Sequence, residues 1–152
     1  MLETSFITLI PPVLSLLTGM ALAVLSLARR PGKREHLLFS LVCIWMSMLA
    51  PVFILQHFVA DESTLLRIDR GVHFFYVYLP PIFLLFLHRM VGVRRPLLTS
   101  AAFLLSLLIS LSTQSDIYIS GLNRYAWGSI ARGGPGFMLF GVYCALVLLY
   151  SV

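Results

Sequence analysis

Seventeen charged side chains, eleven basic and six acidic, all lie outside the middles of five apolar stretches: residues 6–28, 37–59, 71–91, 97–113 and 136–152. An Asp, Lys or Arg at the centre of a membrane helix costs about 2.5–3.5 kcal/mol on insertion scales, so five cleared centres are the mark of lipid as the solvent. Helices satisfy every backbone polar group within one segment, and such stretches therefore predict an all-α, polytopic transmembrane helical bundle with five spans. The first three are long enough to cross roughly 30 Å of hydrocarbon and the last two are marginal. Charged residues make up 11% of the chain, against about 25% in soluble domains, which excludes a water-soluble core.

The charges also alternate. Arg29, Arg30, Lys33 and Arg34 face one acid, Glu35, in the first gap, and Arg89, Arg94 and Arg95 face none in the third. The second gap mixes Arg67 and Arg70 with Asp61, Glu62 and Asp69; the fourth carries Arg124, Arg132 and Asp116, and only Glu3 precedes the first span. By the positive-inside rule the seven basic residues of gaps one and three are topology anchors on the cytoplasmic side, and the N-terminus is outside. The expected location is the inner (cytoplasmic) membrane, with the chain passing through it several times.

Several classes fall away on the same grounds. A signal peptide places its basic residues before the apolar run, the reverse of the order here. The net charge of +5 follows from orientation and contact with the lipid bilayer, and no nucleic-acid motif accompanies it. Cys43 and Cys144 both fall inside spans, where thiols pack as small hydrophobes, and no metal or cofactor is expected.

Along the chain, Pro11 and Pro12 predict a kink or a helix start near the outer end of span one. Span two carries Trp45 and Pro51, and Ser63 is the expected cap of the helix that runs into span three. Pro80 and Pro81, near the middle of span three, predict a kink whose freed carbonyls need partners from neighbouring helices or water. Ser100, Ser106 and Ser110 suit close helix approach in span four. The long gap from Gln114 to Pro135, with Tyr118, Tyr125 and Trp127, is expected to lie along the outer interface.

Chemistry is sparse. No HExxH, Gly-x-Ser-x-Gly or phosphate-binding glycine loop occurs, so no catalytic residue is assigned. The candidate ligand-binding residues are Gln56 and His57 at the outer end of span two and His73 and Tyr76 at the outer start of span three. Antiparallel helices would bring all four to one depth, where imidazole and phenol suit a small polar ligand, a quinone headgroup or a proton. The competing reading is interfacial snorkelling with ordinary hydrogen bonds.

The order of features resembles the N-terminal seven-helix membrane region of bacterial sensor histidine kinases. The likeness spans nearly the whole chain. It rests on the basic turn Ala28-Arg29-Arg30-Pro31-Gly32-Lys33-Arg34, on Trp45, and on Leu79-Pro80-Pro81-Ile82-Phe83-Leu84-Leu85-Phe86. The basic turn before Pro96, Tyr125-Ala126-Trp127-Gly128 and Gly134-Pro135-Gly136 complete it. The resemblance implies a sensory input domain of a two-component system that works as a homodimer and passes helix movement to a cytoplasmic output domain. Helices six and seven and the output domain are not in the sequence, and span five ends without a basic flank, so the chain is expected to be a single, incomplete membrane domain. Alternatives are a fragment of a transporter or membrane-bound transferase, or a small structural membrane subunit.

Overall fold

The computed structural model describes residues 2–29, 32–59, 61–125 and 128–151, with the side chains of 2–6 left out. It is 74% helical, and the helices form rods that run back and forth. The first rod is α1 (Leu2–Arg29); the second is α2 (Arg34–Ser47) followed by α3 (Ala50–Leu55). The third is α4 (Glu62–Tyr76) followed by α5 (Leu79–Val91), and α6 (Pro96–Ser112) and α7 (Pro135–Tyr150) complete the bundle.

Three rods are long and apolar enough to cross a membrane: Ile7–Arg29, Arg34–Leu55 and Glu62–Val91. At 1.5 Å per residue, the 17 residues of α6 and 16 of α7 reach only about 24–26 Å. Much of the apolar surface faces outward. Leu104, Leu107, Leu108 and Leu111 of α6 and Leu139, Val142, Leu146 and Leu149 of α7 are all exposed. Such continuous apolar faces are untenable in water and ordinary against acyl chains.

The third rod is the centre. α5 packs on α2, α6 and α7, whereas α1 packs chiefly on the second rod. The α1–α2 seam is lined by small residues, Gly19, Ala23 and Ser26 against Ser40, Cys43 and Ser47. Ser40 Oγ donates to the Ala23 carbonyl at 2.9 Å. A Cβ on Gly19 would meet Ser47 Oγ at 1.8 Å and the Cys43 carbonyl at 3.2 Å. Backbones approach this closely in lipid only where side chains are small.

Prolines act differently at three places. Pro11 and Pro12 lie inside α1 and do not end it. Pro51 stands in the first turn of α3, after a turn at Met48 and Leu49, so span two is two helices. Pro80 and Pro81 likewise stand in the first turn of α5, after a break at Val77 and Tyr78. A first turn is where a missing N–H costs least.

The segment between α6 and α7 contains the departure from helix. Its strands β1 (Ile119–Tyr125) and β2 (Gly128–Gly133) pair antiparallel with Leu122 opposite Ala131 and Asn123 opposite Ile130. This stretch folds back on itself, because pairing satisfies its backbone groups where a helix is disfavoured by four glycines, at 121, 128, 133 and 134. Tyr118 and Ile119 are fully buried beneath it. Gly134 N–H donates to the Tyr118 carbonyl at 2.8 Å, and a Cβ on Gly134 would meet the Ile117 carbonyl at 2.3 Å. Ala126 and Trp127 of the sequence motif lie outside the described residues, as do Arg30 and Pro31.

The two ends of the bundle differ. One holds the basic turns, where Arg89 Nε donates to Glu35 Oε1 at 2.9 Å and Arg95 Nη1 to the Tyr150 carbonyl at 3.4 Å. The other holds the hairpin and the α3–α4 turn, joined by Arg124 Nη2 donating to Glu62 Oε2 at 3.0 Å. Ser63 does not cap α4. Asp61 does, because its carboxylate reaches the Thr64 N–H at 2.8 Å and takes a second bond from Ser63 Oγ at 2.8 Å.

Candidate functional site

At the hairpin end, α3, α4, α7 and the hairpin enclose a cavity of about 180 Å³. Apolar and aromatic groups form its walls, including Leu49, Val52, Phe53, Leu65, Leu122 and Phe137. Its polar lining is Gln56, Asp69, His73 and Ser129. At roughly 30 Å³ per water, the space holds about six small heavy groups.

The floor is a buried acid–imidazole pair. Asp69 and His73 are 4% and 7% exposed, and stand one helical turn apart on α4, which puts them on one face. His73 Nδ1 is 3.2 Å from Asp69 Oδ1 and 3.0 Å from the Asp69 carbonyl oxygen. Both neighbours accept only, so Nδ1 carries a proton as donor, and in the neutral ring Nε2 holds the lone pair. Nε2 has no hydrogen-bond partner among the described residues. The ring is held edge-on by Tyr76, Tyr118 and Phe137, with centroids 6.1, 5.8 and 6.0 Å away. Chemically, the pair offers acceptors in an apolar chamber. It suits a proton or a small ligand that donates hydrogen bonds.

The hairpin closes the chamber through two sets of contacts. Gln56 Oε1 accepts from the Ser129 backbone N–H, and a Cβ at Gly128, where φ is +150°, would lie 3.0 Å from the Gln56 amide, so glycine leaves room for this approach. Arg70, next to the pair, points away from the cavity. It donates to Asp116, to the Ile119 carbonyl at 2.6 Å and to the Gln114 carbonyl at 3.3 Å. Gln114 Nε2 returns a bond to the Arg70 carbonyl at 3.1 Å. Behind the imidazole, Tyr118 is fully buried, and its hydroxyl has no partner among the described residues. Burial pushes its phenol well above the ordinary range, so it stays protonated.

Of the four residues singled out in the sequence, the structure brings Gln56 and His73 to one cavity. His57 turns to α1 instead, with Nε2 2.9 Å from Thr8 Oγ1 and Nδ1 2.9 Å from the Phe53 carbonyl. It lines a second cleft, between α1 and α3, that Gln56 also borders. Tyr76 is half-buried and packs on the His73 and Phe140 rings. The anchors Arg29, Lys33, Arg34, Arg89, Arg94 and Arg95 are exposed at the basic end. Asp69, Arg70, Tyr118 and Ser129 were missed. The available signal was the Asp69, His73 spacing, since a four-residue interval pairs side chains on a helix.

A second cluster surrounds the break in the third rod. The carbonyl of Val77 would ordinarily accept from residue 81, but Pro81 has no N–H. Ser106 Oγ of α6 donates to that carbonyl at 2.9 Å. Tyr143 OH of α7 is 3.0 Å from Ser106 Oγ and donates to the Ala102 carbonyl at 2.9 Å. On the other side, Trp45 Nε1 of α2 donates to the Phe75 carbonyl at 2.8 Å, and Tyr78 OH meets Ser110 Oγ at 3.2 Å. Two helices, α2 and α6, thus tie themselves to one broken turn, and α7 braces α6 behind it. Ser106 and Ser110 are fully buried, whereas Ser100 is exposed.

Among the described residues no group of three or more His, Cys, Asp or Glu is placed to hold a metal ion. Compared with family models, with characterised proteins and with solved structures, the chain matches none.

Proposed function

We propose that this chain is a membrane-embedded signal-input domain of a histidine-kinase-type signalling protein, a five-span bundle in the cytoplasmic membrane. Its hairpin end faces outside and its basic end the cytoplasm, where it passes helix movement to an output module outside this chain. Orientation follows the excess of Arg and Lys at the basic end. The observation that carries the reading is the third rod. It holds the Asp69–His73 cavity on one side of the Val77–Tyr78 break and Arg89 on the other, with α2 and α6 bonded to the break itself and α7 bonded to α6 at Ser106 and Ala102. A proton or donor-bearing ligand that binds two arrangements of the break with different affinity shifts their populations, and the α5 end moves with them.

The test uses a chimera joining the chain to a histidine-kinase output module. Asp69→Asn and His73→Gln should each alter the response to external pH or ligand, and Pro80→Ala with Pro81→Ala should alter basal output. A chimera whose output ignores all four changes rules the proposal out.

A further inference from the structure

At the basic end, α5 stops at Gly92, in the left-handed conformation with φ 76°, and α6 starts at Pro96. The short turn leaves a cleft of about 520 Å³ between the two helices. Its lining divides by chemistry. Leu85, Val93 and Pro96 are apolar, whereas Arg94, Arg95 and Thr99 bring cations and a hydroxyl. No acid lines it.

The cations are not committed equally. Arg89, at the rim, is drawn to Glu35 at 2.9 Å, and Arg95 reaches the Tyr150 carbonyl at a long 3.4 Å. Arg94 makes no hydrogen bond or ion pair among the described residues. Thr99 Oγ1 donates to the Arg95 carbonyl at 3.2 Å and lies 3.4 Å from His88 Nδ1. His88 itself is 5% exposed, with Nε2 buried and unpartnered among the described residues. A neighbouring cleft at the same end, between α1, α2 and α5, differs in one respect that matters. Its lining holds one acid, Glu35, beside one arginine, Arg29, so its charge is balanced.

We infer that the α5–α6 cleft is a binding site for a phosphate-bearing group, with Arg94 and Arg95 as its charged donors and the apolar wall of Leu85, Val93 and Pro96 seating the part attached to the phosphate. Guanidinium forks match phosphate oxygens in pairs, which an ammonium cannot do. The position, at the end of a rod long enough to span a membrane, puts the arginines at headgroup depth. The inference rests on the membrane reading of the chain and not on the sensory one.

The experiment places the full chain in nanodiscs of phosphatidylcholine containing a minor share of phosphatidylglycerol and measures, by native mass spectrometry, how much of each lipid stays bound. Phosphatidylglycerol should be retained preferentially. Each of Arg94→Gln and Arg95→Gln should lower that preference about fivefold, and the pair by more than tenfold. Arg94→Lys should recover only part of it, and Arg29→Gln, in the charge-balanced cleft, should leave it unchanged. In phosphatidylcholine-only discs, inorganic phosphate binding that depends on Arg94 would identify a free anion, not a lipid, as the source of the phosphate. Equal losses from Arg29→Gln and Arg94→Gln would mean general surface charge and overturn the site. So would no retention of phosphatidylglycerol together with no phosphate binding. Unchanged helicity and thermal midpoint of each variant keep the comparison valid.

Discussion

Removing the Ser106 hydroxyl should destabilise the bundle only while Pro81 is present. In the native chain Ser106 Oγ donates to the Val77 carbonyl at 2.9 Å in a site where the serine is fully buried. Pro81 is the reason that carbonyl needs an outside donor. Ser106→Ala leaves the carbonyl unpaired, a loss of about 1–3 kcal/mol for a buried acceptor in a soluble protein. Hydrogen bonds between membrane helices average nearer 0.6 kcal/mol with a maximum of about 1.7, so about 1 kcal/mol is the expected cost. Tyr143 keeps the Ala102 carbonyl at 2.9 Å and adds little to the loss. Pro81→Ala restores an N–H four residues after Val77. Because Val77 and Tyr78 already have right-handed helical dihedrals, that N–H can reach the carbonyl with small adjustment. In the Pro81→Ala background, Ser106→Ala should therefore cost close to nothing. The coupling, about 1 kcal/mol, is read from a double-mutant cycle of reversible unfolding in mixed detergent micelles. Equal costs of Ser106→Ala in the two backgrounds would show that the Val77 carbonyl is not what the serine serves.

Gly19→Leu should cost about 1–3 kcal/mol by overpacking the α1–α2 seam, whereas Gly19→Ala combined with Ser47→Gly should be tolerated, since Ser47 Oγ is the atom a Cβ would strike; the same unfolding assay checks both. Arg70→Gln should free the hairpin and speed tryptic cleavage after Arg124 and Arg132. Asp116→Asn should do far less, because Asp116 is 85% exposed and exposed ion pairs add little. Asp61 should titrate at about 2, held down first by the Thr64 hydroxyl and then by Ser63 and the Thr64 N–H. Its folded pKa lies below the unfolded value, so its contribution to the α4 cap is complete above about pH 4 and is lost as pH falls through about 2. An NMR titration of the carboxyl should follow this course, and Thr64→Val should move the midpoint upward.

How far the chain itself announced this arrangement varies from element to element. The rods were legible because excluding charge from a helix centre is a local requirement, felt residue by residue. The break in span three was legible from Pro80 and Pro81, but its position was displaced. The helix stops at Val77 and Tyr78 so that both prolines occupy a first turn. Pro11 and Pro12 carry the same local signal and do not interrupt α1, which shows that proline alone does not decide where a helix ends. The hairpin was not legible. Its glycines read as loop, and only the pairing of Leu122 with Ala131, over a buried Tyr118, makes them strands.

The candidate site divides in the same way. His73 and Gln56 were visible as polar residues near the ends of apolar stretches. Asp69 was counted with the charges between spans, yet the structure buries it beside His73, because α4 begins several residues before the apolar run and carries the pair into the bundle. The sequence by itself determined that this is a chain of apolar helices with basic residues gathered at one end, since the cost of a charge in hydrocarbon acts on each residue alone. Which carbonyl Ser106 serves, which imidazole meets an acid and what the hairpin covers depend on groups up to 73 residues apart, as Gln56 and Ser129 are. Only the packed bundle brings them within a hydrogen bond's reach.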